Sequence, residues 1–109
     1  MYTGSELAAS IAGERKAIRA LCQAALSKGM LLSYCDGEAW PVKQTANLSD
    51  IMAQVHSTDE ALIRVRDADG NRRVTFFIVY GNSPEEVISD YSYPEADEEL
   101  ANELYRAAI

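Results

Sequence analysis

At 109 residues, 48% of them hydrophobic, the chain has the size of one domain with one core, spanning 1–109. Seventeen acidic against ten basic residues leave a formal net charge of −7, a balance that disfavours nucleic acid as a partner. Two cysteines without CxxC spacing and a lone histidine exclude a disulfide framework and a structural zinc site within one chain.

The spacing of Leu7, Ile11, Ile18, Leu21, Cys22, Ala25 and Leu26 predicts a helix over residues 5–28. Ser5 is the expected cap, Gly13 weakens the middle, and Gly29 sits where a left-handed stop belongs. Leu31 to Cys35 and Glu38 to Gln44 flank Asp36-Gly37, the pattern of a tight β-hairpin. Pro41 cannot donate to a ladder, which puts the second of these strands at an edge or ends it early. Asn47 or Ser49 then caps a short helix carrying Ile51, Met52 and Val55.

Residues 62–67 alternate, with Ile63 and Val65 against Arg64 and Arg66, and Ala68 to Asn71 form a turn. Val74 to Val79 is apolar on both faces and reads as a central strand. Ser83-Pro84-Glu85-Glu86 has the form of a capping box with proline at the first helical position, so a helix is expected to about Ser92. Pro94 opens a last helix with Leu100, Ala101, Leu104, Tyr105 and Ala108 as its stripe. The whole reads as α+β in the order α-ββ-α-ββ-α-α: a four-stranded, mostly antiparallel sheet with helices packed mainly on one face. The two Asp-Gly turns lie 33 positions apart, but few side chains match at that offset, so any repeat is architectural.

The charge is unevenly placed. Residues 1–82 balance nine acids with nine bases, whereas residues 83–109 hold eight acids against Arg106 alone. Acids early in a helix complement its dipole and keep a small protein soluble. They also form a negative surface that steers a basic partner. The counter-signal is Arg64, Arg66, Arg72 and Arg73 around the second hairpin, with Asp67 and Asp69 as ready partners.

No pattern points to a reaction, a metal or a cofactor. Asp67 to Asn71 lacks the glycine and glutamate positions of a calcium loop. Cys22 lies on an apolar stripe, Cys35 is expected to be partly exposed beside its turn, and nothing marks either as a reactive thiolate paired with His56. Paired carboxylates need a pocket that separates their pKa values, and those here cluster on helices. The opening residues Met1 to Glu6 do not resemble a secretory signal, no segment reaches the length of a membrane span, and free thiols fit a reducing compartment. A cytoplasmic location is therefore expected.

The run Val79-Tyr80-Gly81-Asn82-Ser83-Pro84 into Glu85-Glu86-Val87-Ile88-Ser89-Asp90-Tyr91 resembles small proteins encoded in bacteriophage and prophage genomes, over about residues 36–92. The resemblance implies no activity and carries over no site residue. It adds to the expectation of a non-enzymatic interaction domain, a phage-derived modulator that binds a basic host protein. The residues expected to bind it are Glu85, Glu86, Asp90, Tyr91, Glu95, Asp97, Glu98 and Glu99. Tyr91, Tyr93 and Trp40 fit either a binding rim or a core rim. The alternative is phosphate-ligand or nucleic-acid binding through Arg64, Arg66, Arg72 and Arg73; a third possibility is an enzyme whose site forms only in a homodimer. Self-association would run through the Trp40 edge strand or the last helix.

Overall fold

The structure, a computed structural model, describes residues 3–109; Met1 and Tyr2 of the opening segment lie outside them. It is α+β, with three α-helices and a five-stranded antiparallel sheet. Helix α1 runs Gly4–Ser27 and is capped by Thr3 rather than Ser5, because Thr3 finds Glu6 at the reciprocal capping-box position. Gly29, at φ +77°, ends it as the sequence suggests.

Strands β1 (Leu31–Cys35) and β2 (Val42–Thr45) are joined by a longer connection than the Asp-Gly signal predicts. The Asp36 carboxylate accepts the amides of Glu38 and Ala39 and rounds off a turn there. Pairing resumes only at Val42, after Pro41, which has no N–H to give the ladder. The short helix α2 (Leu48–Met52) and an irregular turn lead to β3 (Glu60–Arg66). The hairpin from β3 to β4 (Arg72–Val79) is built on Asp67, whose carboxylate accepts the amides of Asp69 and Asn71, with Gly70 at φ +87°.

Two expectations fail together after Asn82. The helix expected over residues 84–92 is one 3₁₀ turn (Pro84–Glu86) followed by a fifth strand, β5 (Ile88–Ser92). Ser83 is extended and makes no side-chain cap. The start signal is local, but the residues beyond it, Val87-Ile88-Ser89-Asp90-Tyr91, suit a strand. Pairing them with β4 also covers what would otherwise be a long apolar sheet edge. The sheet therefore has five strands rather than four, in the order β2-β1-β3-β4-β5, and β4 is interior as its two-sided apolar pattern indicates. A second 3₁₀ turn (Glu95–Asp97) leads into α3 (Glu98–Ala108), whose Ala101 and Leu104 are buried.

One face of the sheet carries the core. Leu32 and Tyr34 of β1, Ile63 and Val65 of β3, and Val74, Phe76 and Ile78 of β4 point the same way and cluster with Ile18, Leu21, Ile51 and Leu104 of the helices. Gly13 permits a close approach at the layer's end: a Cβ there would lie 2.6 Å from Cγ of Pro84. The alternate residues of the same strands, Ser33, Leu62, Arg64, Arg66, Thr75, Phe77 and Val79, project from the opposite face, which no helix covers. The sheet thus has a buried side and an open side.

Candidate functional site: the open face of the sheet

Strand register decides which charges meet on that open face. Arg66 lies across from Arg72, and Arg64 lies across from Thr75 one row further along. The Arg64 guanidinium sits 4.6 Å from the centre of the Trp40 ring, and its Nε donates to Thr75 Oγ1 at 3.2 Å. Arg66 Nη1 donates to the carbonyl of Gly70, which fixes it against the hairpin turn. Trp40, Arg64 and Arg66, with Ser33, Lys43 and Gln44, line a depression of about 170 Å³, while Arg72 and Thr75 border another. Burial first, and then repulsion by Arg72 and Arg66, pulls Arg64 below the ordinary arginine value; a guanidinium stays charged despite this.

The fourth arginine leaves the cluster. Arg73 Nε and Nη2 both donate to Asp97 Oδ1, at 2.7 and 2.6 Å, and Nη1 lies 3.9 Å from Asp67. Asp97, one of the acids expected to meet a partner, is only 6% exposed and serves this internal pair instead. By contrast, no carboxylate among the described residues lies within ion-pair distance of Arg64, Arg66, Arg72 or Lys43.

The remaining acids of the last quarter do not share one face. Glu85 borders a groove with Gly13, Lys16 and Ile109, beside the C-terminal end of α3. Exposed Glu95, Glu98 and Glu99 sit at the other end of that helix, about 15 Å away along its axis. Glu103 pairs with Lys28, Glu86 is exposed on its 3₁₀ turn, and Asp90 lies across from Phe77 on the open face. Tyr91 points to the core side: it stacks on Tyr105, packs near Phe76 and Tyr93, and donates to Asn102 Oδ1 at 2.7 Å. Tyr91 and Tyr93 are thus packing residues, whereas Trp40 belongs to the basic face.

A second polar cluster is buried between the layers. Glu14, 1% exposed, accepts from His56 Nε2 at 2.8 Å and from the amide of Gly81 at 2.9 Å. The His56 ring packs 4.4 Å from that of Tyr80, and the Tyr80 and Tyr34 hydroxyls share a 2.6 Å hydrogen bond. These hydrogen bonds fasten α1, β1 and the segments after α2 and β4 together. Both thiols are buried, Cys35 against the expectation of partial exposure; burial pushes Cys22 up to about 12.

The tyrosine pair has a pH signature. Burial raises both hydroxyls above the ordinary tyrosine value, and the shared bond raises Tyr80 further while offsetting part of the shift at Tyr34. A raised folded-state pKa favours the neutral form, so this contribution to stability is complete below about pH 10 and declines as pH rises beyond it. Ultraviolet titration should show Tyr34 and Tyr80 ionising above the ordinary tyrosine range. Tyr80→Phe should flatten the alkaline fall in stability. Ionisation of both hydroxyls near pH 10 in the intact fold would contradict this.

The patterned alternation of Arg64 and Arg66 makes their shared face visible in sequence. Trp40, Lys43 and Phe77 escape sequence reasoning as members of that face, since only strand order sets β4 beside β3 and brings β2, with Trp40 just before it, one strand away. Among the described residues, no group of three or more His, Cys, Asp or Glu is placed to hold a metal ion, and no helix is long and apolar enough to cross a membrane. No family model, curated protein or solved structure matches the chain.

Proposed function

We propose that the protein binds a phosphate-bearing ligand on the open face of its sheet, through Arg64, Arg66, Arg72 and Lys43. The observation that carries this reading is that these cations lack counter-charges. In a chain with net charge −7, three arginines and a lysine share this face with no carboxylate of the described residues within ion-pair distance. Arginine suits the task because its planar fork matches phosphate oxygens, and Trp40 holds the Arg64 plane in place. Net charge is a property of the whole surface, while a bound anion feels chiefly the groups within a Debye length, about 8–10 Å at ordinary salt.

The test is anisotropy of a labelled oligonucleotide, titrated at several salt concentrations. Binding at about 50 mM salt is expected to weaken steeply as salt rises. Arg64→Ala with Arg72→Ala should lower affinity at least about tenfold and reduce the salt slope by roughly two, one for each arginine removed from a phosphate. No binding at low salt, or a double variant that binds like the wild type, would dispose of the reading.

A second reading keeps the phage-type modulator that docks a basic protein. Glu95, Glu98 and Glu99 are exposed at the start of α3 and form no ion pair among the described residues, which favours it. Glu98→Lys with Glu99→Lys should then abolish capture of the partner and leave oligonucleotide binding unharmed.

A further inference from the structure

We propose that the ligand of this face is a short single-stranded nucleic acid, its phosphates on the arginine rows and a base laid on Phe77. The proposal rests on the anion-binding reading above and names the ligand class for the same site.

The open face changes character in order along the strands. Arg66 with Arg72 forms the first row, Arg64 with Thr75 the second, Leu62 with Phe77 the third and Glu60 with Val79 the fourth. Successive rows are about 7 Å apart. Cationic rows are therefore followed by an apolar row and then by a carboxylate, with the Asp90 carboxylate beside Phe77 on β5. Phe77 stands on an interior strand yet is 38% exposed, because no helix packs on its face. Beside it lies a second depression, about 250 Å³, lined by Leu62, Phe77, Val79 and Glu60.

A polyanion can meet this sequence of rows in only one orientation. Its phosphates are attracted to the arginines and repelled from Glu60 and Asp90, so the group that reaches the apolar row is uncharged. In a nucleic acid that group is the base, which has a flat face to offer an exposed ring. A duplex keeps its bases stacked inward and cannot present one to a sheet surface, whereas a single strand can splay its bases onto aromatic side chains. A free nucleotide is the poorer occupant. Both depressions are smaller than the roughly 300–1,000 Å³ of clefts that enclose a small ligand, so several shallow contacts along a chain must supply the affinity.

The experiment compares three labelled probes of about ten nucleotides, a length within the usual footprint of such surfaces. They are a single strand, the same backbone with abasic sites throughout, and a duplex. The wild type should bind the single strand at least about tenfold more tightly than the other two, the scale expected of one stacked base. Phe77→Ala should reduce the single strand to the abasic level without changing the salt slope. Phe77→Leu, which keeps apolar cover and removes the ring, should do the same; unchanged affinity for the abasic probe shows that either variant retains its basic rows. Equal affinity for base-bearing and abasic strands, with Phe77 variants silent, overturns the proposal and leaves the anion-binding reading standing. Preference for the duplex, or efficient displacement of the strand by a free mononucleotide, overturns it as well. If no probe binds, both readings fall.

Discussion

Replacing Glu14 by alanine is expected to cost about 2–4 kcal/mol of folding free energy, the scale for removing a buried carboxylate that accepts two hydrogen bonds. Its two oxygens serve donors from different parts of the chain, His56 after α2 and the Gly81 amide after β4. Both donors would lose their acceptor, His56 at a half-buried position and Gly81 nearer the surface. The histidine is especially exposed to this loss: its Nδ1 is already buried without a partner among the described residues, so Glu14 is the ring's one hydrogen-bonding contact there. His56 also sits at φ +69°, a backbone conformation that needs compensation elsewhere. Denaturant unfolding checks the size of the effect, and a double-mutant cycle checks its cause. His56→Ala should cost far less in the Glu14→Ala background than alone, because the shared interaction has gone. Glu14→Gln should fall between the two, since an amide can satisfy only one of the donors as acceptor. A Glu14→Ala change within about 0.5 kcal/mol of wild type, the range of ordinary surface substitutions, would show that the cluster fastens nothing.

The second large effect concerns the other internal pair, and it is asymmetric. Arg73→Ala strands the Asp97 carboxylate, which is buried at the entry to α3, and is expected to cost about 2–4 kcal/mol. Asp97→Ala should cost less. The Arg73 side chain is a third exposed, retains Asp67 within 3.9 Å, and can carry its charge into solvent. Combining the two substitutions should recover part of what Arg73→Ala loses, which thermal or denaturant unfolding of the three variants would establish. Equal single costs and simple additivity would mean that the pair behaves as a solvated surface contact. The same variants separate stability from binding, since Arg73 lies outside the group of unpaired cations proposed to hold an anion.

Much of the framework could be read directly from residue order. The later part of the α1 stripe, from Ile18 to Ala25, the alternation of Ile63 and Val65 against Arg64 and Arg66, and the Ala68 to Asn71 turn are local patterns with local causes. Each needs only a periodicity or a side chain that bonds its own backbone. Leu7 and Ile11 of the expected stripe are instead exposed. The segment after Asn82 shows where that reasoning stops. Ser83-Pro84-Glu85-Glu86 is a sound helix start, and it does begin a turn of 3₁₀ helix. Whether the helix continues depends on a competitor remote in sequence, the unpaired edge of β4, and Ile88 to Ser92 take that edge. Strand number and the fate of Tyr91 both follow from this one choice.

The candidate site divides in the same way. The chain's sequence by itself determined that Arg64 and Arg66 share a face and that the acids concentrate after Asn82, because strand alternation and composition are properties of residue order. Only the tertiary structure decided which charges remain available. Asp97 is distant from Arg73 in sequence, yet the entry to α3 buries it against that side chain, removing one arginine and one acid from their expected roles. Trp40 reaches Arg64 because β1 alone separates β2 from β3, and Phe77 stays uncovered because all three helices pack on the other face. An ion pair or an exposed ring is fixed by which surfaces are left after packing, and packing is a property of the whole chain rather than of any segment in it.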